Sequence, residues 1–160
     1  MRRIRFILGI VLIAATASCI VRPGARDRSL SSSAQWTAVL PATTTGPHGG
    51  MTFVRLDPPG QTRVIIALAG GTPSAILPWH LHYGQCGDDG LIVGAPGNYS
   101  PLMLGPTGRL DAVAQIPIAL SDNTRYFLHV HVSPADMKAV AGCAPLVRTA
   151  PATTIANVTR

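Results

Sequence analysis

The sequence has few aromatic residues (5%), few charged residues (12%) and only 7 acidic side chains among 160 residues. It also lacks a run of lysine or arginine. Proteins that bind nucleic acid need basic patches and aromatic platforms, so we expect no nucleic-acid partner. No long segment has a helical period. The chain is instead rich in turn-forming residues, with 16 Gly and 14 Pro.

The N-terminus carries the one long apolar run. Three arginines precede apolar residues 6–15, and small residues follow up to Cys19. This order is typical of a secretory signal peptide, and the run is too short and wrongly flanked for a membrane-spanning helix. The residues "TASC" resemble a bacterial lipobox, although Thr16 replaces the usual branched aliphatic residue. We expect cleavage before Cys19 and lipidation of Cys19, with an ordinary signal peptide as the alternative.

This interpretation divides the chain into four segments. They are a signal peptide (1–18) before the Cys19 anchor, a Ser-rich tether (19–33), a β domain (34–147) and a loose C-terminal tail (148–160). Export places the protein in the cell envelope, periplasm or outer surface, with the lipid anchor as its only membrane contact. Loss of three arginines would lower the formal net charge of +6 by three units, so the mature chain is only mildly basic.

The three cysteines fit an oxidising compartment. Lipidation would consume Cys19 and leave Cys86 and Cys143 as a pair. A disulfide between them is the economical interpretation, and thiolate metal ligands are the alternative. Such a disulfide would close a long loop and stabilise the fold by about 4 kcal/mol on the chain-entropy model.

Short apolar runs separated by Gly and Pro predict an all-β protein, an antiparallel sandwich or barrel. Residues that favour pleated surfaces populate six predicted strands: 34–40, 51–56, 62–70, 79–83, 110–118 and 126–132. One helical turn is predicted at "SPADMKAV", with Ser133 as its N-cap and Pro134 at its first position.

Four of the five histidines form two pairs, His80/His82 and His129/His131, each on a predicted strand. Because side chains alternate across a strand, the two imidazoles of each pair share a face. If the strands are neighbours, four imidazoles can converge, and all-nitrogen ligand sets suit copper or zinc. The alternative is that these histidines lie on solvated strand faces. His48, in "TGPHGG", is predicted to lie in a surface loop.

The stretch "HLHYGQC" resembles the segment of the copper/zinc superoxide dismutases that carries two copper-binding histidines and a disulfide cysteine. Upstream, "GGMTFVRLDPPGQTRVIIALAGGTPSAILPWHLH" is similar to the opening hairpins of that family. Downstream, "YFLHVHVSPADMKAVAGCAPL" is similar to the segment with the last copper histidine and the second disulfide cysteine. The resemblance, to a secreted bacterial type, spans roughly residues 34–147.

The resemblance implies a Greek-key β-sandwich or flattened barrel and one copper ion per chain. The implied ligands are His80, His82 and His131, with His129 as a tentative fourth, and the implied disulfide is Cys86–Cys143. Two departures matter. Asn98 stands where the family has a metal-bridging histidine, and no histidine lies between His82 and His129, so we expect no zinc site. Val140 lies near the position of the family's superoxide-attracting arginine.

Three hypotheses follow for the function. The first is an exported copper-dependent superoxide dismutase, with superoxide and copper as its small ligands. The second is a non-enzymatic copper-binding module on the same scaffold. The third is a metal-free extracellular structural or interaction domain. The oligomeric state is left open.

Overall fold

The computed structural model describes residues 34–43, 46–56 and 60–149. The predicted signal peptide, the Cys19 anchor and the tether lie outside these residues. No helix in the described ranges is both long enough and apolar enough to cross a bilayer. The ranges contain ten strands: β1 Gln35–Leu40, β2 His48–Arg55, β3 Thr62–Ala69, β4 Ile76–Leu77, β5 Trp79–Tyr83, β6 Leu102–Met103, β7 Leu110–Ile116, β8 Tyr126–Ser133, β9 Asp136–Pro145 and β10 Val147–Thr149.

The strands form two main antiparallel sheets. The first has five strands in the order β10-β1-β2-β3-β7, and the second has three in the order β5-β8-β9. A short ribbon of β4 and β6 is separate from both. Strand β3 pairs with β7, and β5 pairs with β8. Between the two strands of each pair, the chain passes through the other sheet. This arrangement confirms the predicted all-β sandwich.

Alternation along the strands builds the core. In β3, buried and exposed residues alternate along the strand, as expected when one face of a sheet packs inward. Trp36 and Phe53 of the first sheet belong to one buried cluster with Leu81 and Leu128 of the second. The second sheet therefore turns one face to this core, and its other face is free to carry polar side chains.

The six predicted strands are all present, with ends shifted by a few residues. The largest shift is in β2, which begins at His48 rather than residue 51, so His48 lies in a strand and not in the predicted loop. Its imidazole packs where a side chain on Gly70 would lie. Strand β10 includes Arg148 and Thr149, which were predicted to belong to the C-terminal tail. Residues 150–160 lie outside the described ranges.

The predicted helical turn at residues 133–140 is wrong. Ser133 Oγ does accept a hydrogen bond from the Asp136 N–H, at 3.2 Å, as an N-cap would. The Asp136 carboxylate then accepts hydrogen bonds from the Lys138 and Ala139 N–H groups at the start of β9, directly after the turn at residues 134–135. Ser and Asp offer the same local bonds to turns as to helix starts, so the pattern could not separate the two. Residues 136–145 form a strand rather than a helix because they pair with β8.

Candidate metal centre

The register between β5 and β8 places all four paired histidines on one face of the three-stranded sheet. His80 lies opposite His129, and His82 lies opposite Phe127. Residues opposite each other on antiparallel strands share a face. The intervening residues, among them Leu81, point to the other face and fill the core. Strand alternation thus gives the sheet one apolar face and one imidazole face.

Three of these histidines converge. Within the described ranges, His80, His82 and His131 are the one group of three or more potential metal-binding side chains whose ligand atoms all lie within 4.8 Å of one another. His80 and His131 are buried, and His82 is half-buried. We call these residues the histidine trio.

The closest contact within the trio joins Nδ1 of His80 to Nε2 of His131, at 3.3 Å. Two imidazole nitrogens that each lie about 2.0–2.1 Å from one ion at a tetrahedral angle would be about 3.3 Å apart. The observed spacing therefore matches two ligands of one metal ion. It is also within reach of a hydrogen bond between two neutral imidazoles.

The third member of the trio is oriented by the backbone. Nδ1 of His82 lies 2.7 Å from the carbonyl oxygen of Gly90, so Nδ1 carries the proton and donates it. The other ring nitrogen, Nε2, is buried and has no hydrogen-bond partner. A free, buried lone pair on an imidazole held by a backbone carbonyl is the usual arrangement of a metal-binding histidine. Gly90 has to be a glycine, because a Cβ there would overlap the Tyr83 carbonyl.

Electrostatics keep the cluster neutral. Burial, followed by the charges of His131, His82 and His129, lowers the pKa of His80 from 6.5 to about 4. Burial and the neighbouring imidazoles also lower the pKa values of His129 and His131. The Met137 backbone acts to raise the pKa of His131, but burial and the neighbouring His82 outweigh it. Neutral imidazoles at neutral pH have lone pairs available for a metal.

His129 lies on the same face but stays outside the trio. Its ring centroid is 4.9 Å from that of His82 and 6.0 Å from that of His131. The Phe127 ring contacts both of the nearer imidazoles, since it is stacked on His82 at 5.1 Å and edge-on to His129 at 4.8 Å. The tentative fourth ligand is therefore a neighbour of the trio rather than a member.

A disulfide joins Cys86 to Cys143, with their Cα atoms 6.0 Å apart. It is the predicted pairing, and it excludes the two cysteines as thiolate ligands. Cys86 lies in the loop that follows β5, and Cys143 lies on β9 directly opposite His129. The bond therefore fastens the loop that carries Gly90 to the sheet that carries the histidines.

No protein-family model and no curated protein matches the sequence. Among solved structures, the chain is similar to a point variant of superoxide dismutase 5 from Candida albicans. The two share 16% sequence identity with a TM-score of 0.58, over 79% of this chain and 100% of that chain. The chain therefore has the copper/zinc superoxide dismutase fold. This likeness confirms the predicted fold class, and at this identity it shows the fold alone.

The structure also places the two residues at which the sequence departs from the dismutase pattern. Asn98, at the expected position of a bridging histidine, ends a 3₁₀ turn, Pro96–Asn98, and lies outside the trio. Val140 lies directly opposite His131 on β9 and is 42% exposed. An apolar side chain thus lies next to the trio, near the position where the dismutase family has a positively charged arginine.

Three residues of the site were not found from the sequence. Phe127 could have been, because strand alternation in "YFLHVHV" puts it on the same face as His129 and His131. Gly90 and Tyr99 could not, since they come from the loop between β5 and β6. The ring of Tyr99 lies edge-on to His80, at 5.3 Å between centroids.

Proposed function

We propose that this chain is an exported copper protein that dismutates superoxide at a centre formed by His80, His82 and His131. One observation carries the proposal: three imidazoles converge on one face of a superoxide dismutase fold, with donor atoms within 4.8 Å of one another. All-imidazole ligation suits copper among the metals that cycle between oxidation states.

The residues present fit a metal ion of this kind. The buried Nε2 of His82 lacks a partner, which is costly for a polar atom unless something binds it. The lowered pKa values of His80 and His131 leave both rings unprotonated, so binding needs no proton release from them at neutral pH. The histidine trio can therefore take up a cation at neutral pH without first discharging His80 or His131.

When bound, copper supplies one-electron exchange with superoxide in both directions. The chain's own residues hold the ligands in place. The Gly90 carbonyl fixes the tautomer of His82. Leu81, which lies between His80 and His82, is fully buried in the core and so holds β5 in place. The disulfide holds the loop of Gly90 against β9. His80, His82 and His131 would hold the copper ion, each through one ring nitrogen.

A second function, copper binding without turnover, is favoured by Val140. Fast dismutation depends on attraction of an anion to the metal, and an apolar residue opposite His131 provides none. On this alternative the trio binds or stores copper, and superoxide is not its substrate.

The experiment separates these functions in two steps. First, copper is titrated into untagged protein lacking residues 1–18, beside a His80→Asn/His82→Asn variant. One copper per chain, lost in the variant, supports both functions. No binding at micromolar copper would reject both and leave the metal-free interaction domain.

In the second step, the copper-loaded protein is mixed with superoxide generated by pulse radiolysis. Dismutation predicts a second-order decay rate well above that of the same copper in buffer, and loss of that excess in the double variant. A decay rate equal to that of copper in buffer would reject dismutation and support copper binding without turnover. Export is tested separately, by mass spectrometry of the mature N-terminus, where we expect a lipid-modified Cys19.

A further inference from the structure

Tyr99 lies beside the histidine trio but belongs to neither sheet. It follows the 3₁₀ turn Pro96–Asn98 and is only 7% exposed. Its hydroxyl donates a hydrogen bond to the Val93 carbonyl oxygen, at 2.6 Å. Burial raises the pKa of Tyr99 above its ordinary value, so the hydroxyl keeps its proton. A phenol buried next to a candidate metal centre and fully protonated is available as a fixed donor.

The Tyr99 hydroxyl connects the loop to the strand of the ligands. Val93, whose carbonyl accepts the Tyr99 proton, donates its own N–H to the Leu81 carbonyl, at 2.8 Å. Leu81 is the residue between His80 and His82. The hydroxyl is thus tied to the backbone segment that separates two members of the trio.

The ring of Tyr99 restrains His80 itself. Its plane is at 84° to the His80 imidazole, with the centroids 5.3 Å apart, and it makes a similar edge contact with Trp79 at 4.9 Å. Trp79 is held in turn, because its indole N–H donates to the Ser100 carbonyl at 2.7 Å. His131 approaches His80 at Nδ1. The His80 imidazole is therefore held between Tyr99 and His131.

We propose that Tyr99 is a positioning residue that sets the orientation of His80 in the histidine trio. The hydroxyl fixes the loop against β5, and the ring directs Nδ1 of His80 towards the other two ligands. This inference rests on the proposed copper function for its consequence, but the orientation itself is a property of the metal-free chain. Tyr99 acts through His80 and does not bind the metal.

Two variants separate the hydroxyl from the ring. Tyr99→Phe keeps the edge contacts and removes the hydrogen bond to Val93, and Tyr99→Leu removes both. Tyr83→Phe is the matched control, because Tyr83 is 45% exposed and packs on Tyr126 instead. Long-range ¹H–¹⁵N spectra report the imidazole tautomers and environments in the metal-free protein. Copper titration and the electron paramagnetic resonance spectrum report the centre when it is loaded.

We expect Tyr99→Leu to shift the His80 ring nitrogen signals and to change the copper spectrum. It should also weaken copper binding by about tenfold or more, which is the usual effect of losing a group that orients a metal ligand. Tyr99→Phe should give a smaller change of the same kind, and it carries the test if Tyr99→Leu does not fold. The inference is overturned if folded, disulfide-bonded variants melt earlier but keep wild-type imidazole and copper spectra. If the wild-type protein binds no copper, the copper function fails, and the metal-free spectra still decide the role of Tyr99.

Discussion

Acidification of the metal-free protein should destabilise it through His80. The unfolded chain takes up a proton on this histidine near pH 6.5, whereas the folded chain resists protonation until about pH 4. Between these values the unfolded state binds more protons, so the free energy of unfolding falls as the pH falls. Above pH 6.5 His80 is neutral in both the folded and the unfolded chain, and the free energy of unfolding is not reduced by its protonation. At about 1.4 kcal/mol per pKa unit, the loss by pH 4 is at most about 3 kcal/mol from this residue.

The assay is urea unfolding of the metal-free, disulfide-bonded protein at several values between pH 7 and pH 4. A His80→Asn variant is the control, since asparagine can keep a polar atom near Nδ1 but does not titrate. The wild-type free energy of unfolding should fall more steeply than that of the variant, with the two curves separating below pH 6.5. Parallel curves would refute the argument that buried, mutually repelling imidazoles keep the cluster neutral. His129 and His131 act in the same direction and remain in both proteins.

Three further predictions concern the loop and the border of the site. Cys143→Ser should lower the free energy of unfolding by about 4 kcal/mol in chemical denaturation, and an unchanged value would deny the disulfide a stabilising role. Gly90→Ala should weaken copper binding in titration, because the new Cβ overlaps the Tyr83 carbonyl and displaces the His82 acceptor; wild-type affinity would count against that acceptor. Val140→Arg should raise the rate with superoxide in pulse radiolysis and make it salt-dependent, and an unaltered rate would show that attraction is not limiting.

The fold could be predicted from the sequence because its signals are local. Strand alternation, β-branched residues and Gly/Pro turns marked six strands, and all six are present. The β8–β9 hairpin was missed for a physical reason. Ser133 and Asp136 make the same side-chain bonds in a turn as at a helix start, and only the long-range pairing with β8 selects the strand.

Residue spacing alone predicted the histidine trio only in part, and it was the resemblance that implied His80, His82 and His131 together. Spacing of two residues put His80 with His82, and His129 with His131, on shared faces. Which three converge depends on the register of β5 against β8, and no local pattern specifies that register. The roles of Gly90 and Tyr99 depend on the path of a loop, which has no periodicity to read.

The proposed function depends on a copper centre formed by His80, His82 and His131. X-ray absorption of the copper-loaded, untagged protein tests it most directly, with single Asn variants of these histidines and of His129 beside it. We expect one copper per chain with three imidazole nitrogens at about 2.0 Å, an imidazole lost in each trio variant, and an unchanged spectrum in His129→Asn. Copper that keeps its imidazole count when His82 is replaced, or that loses an imidazole with His129, would contradict it.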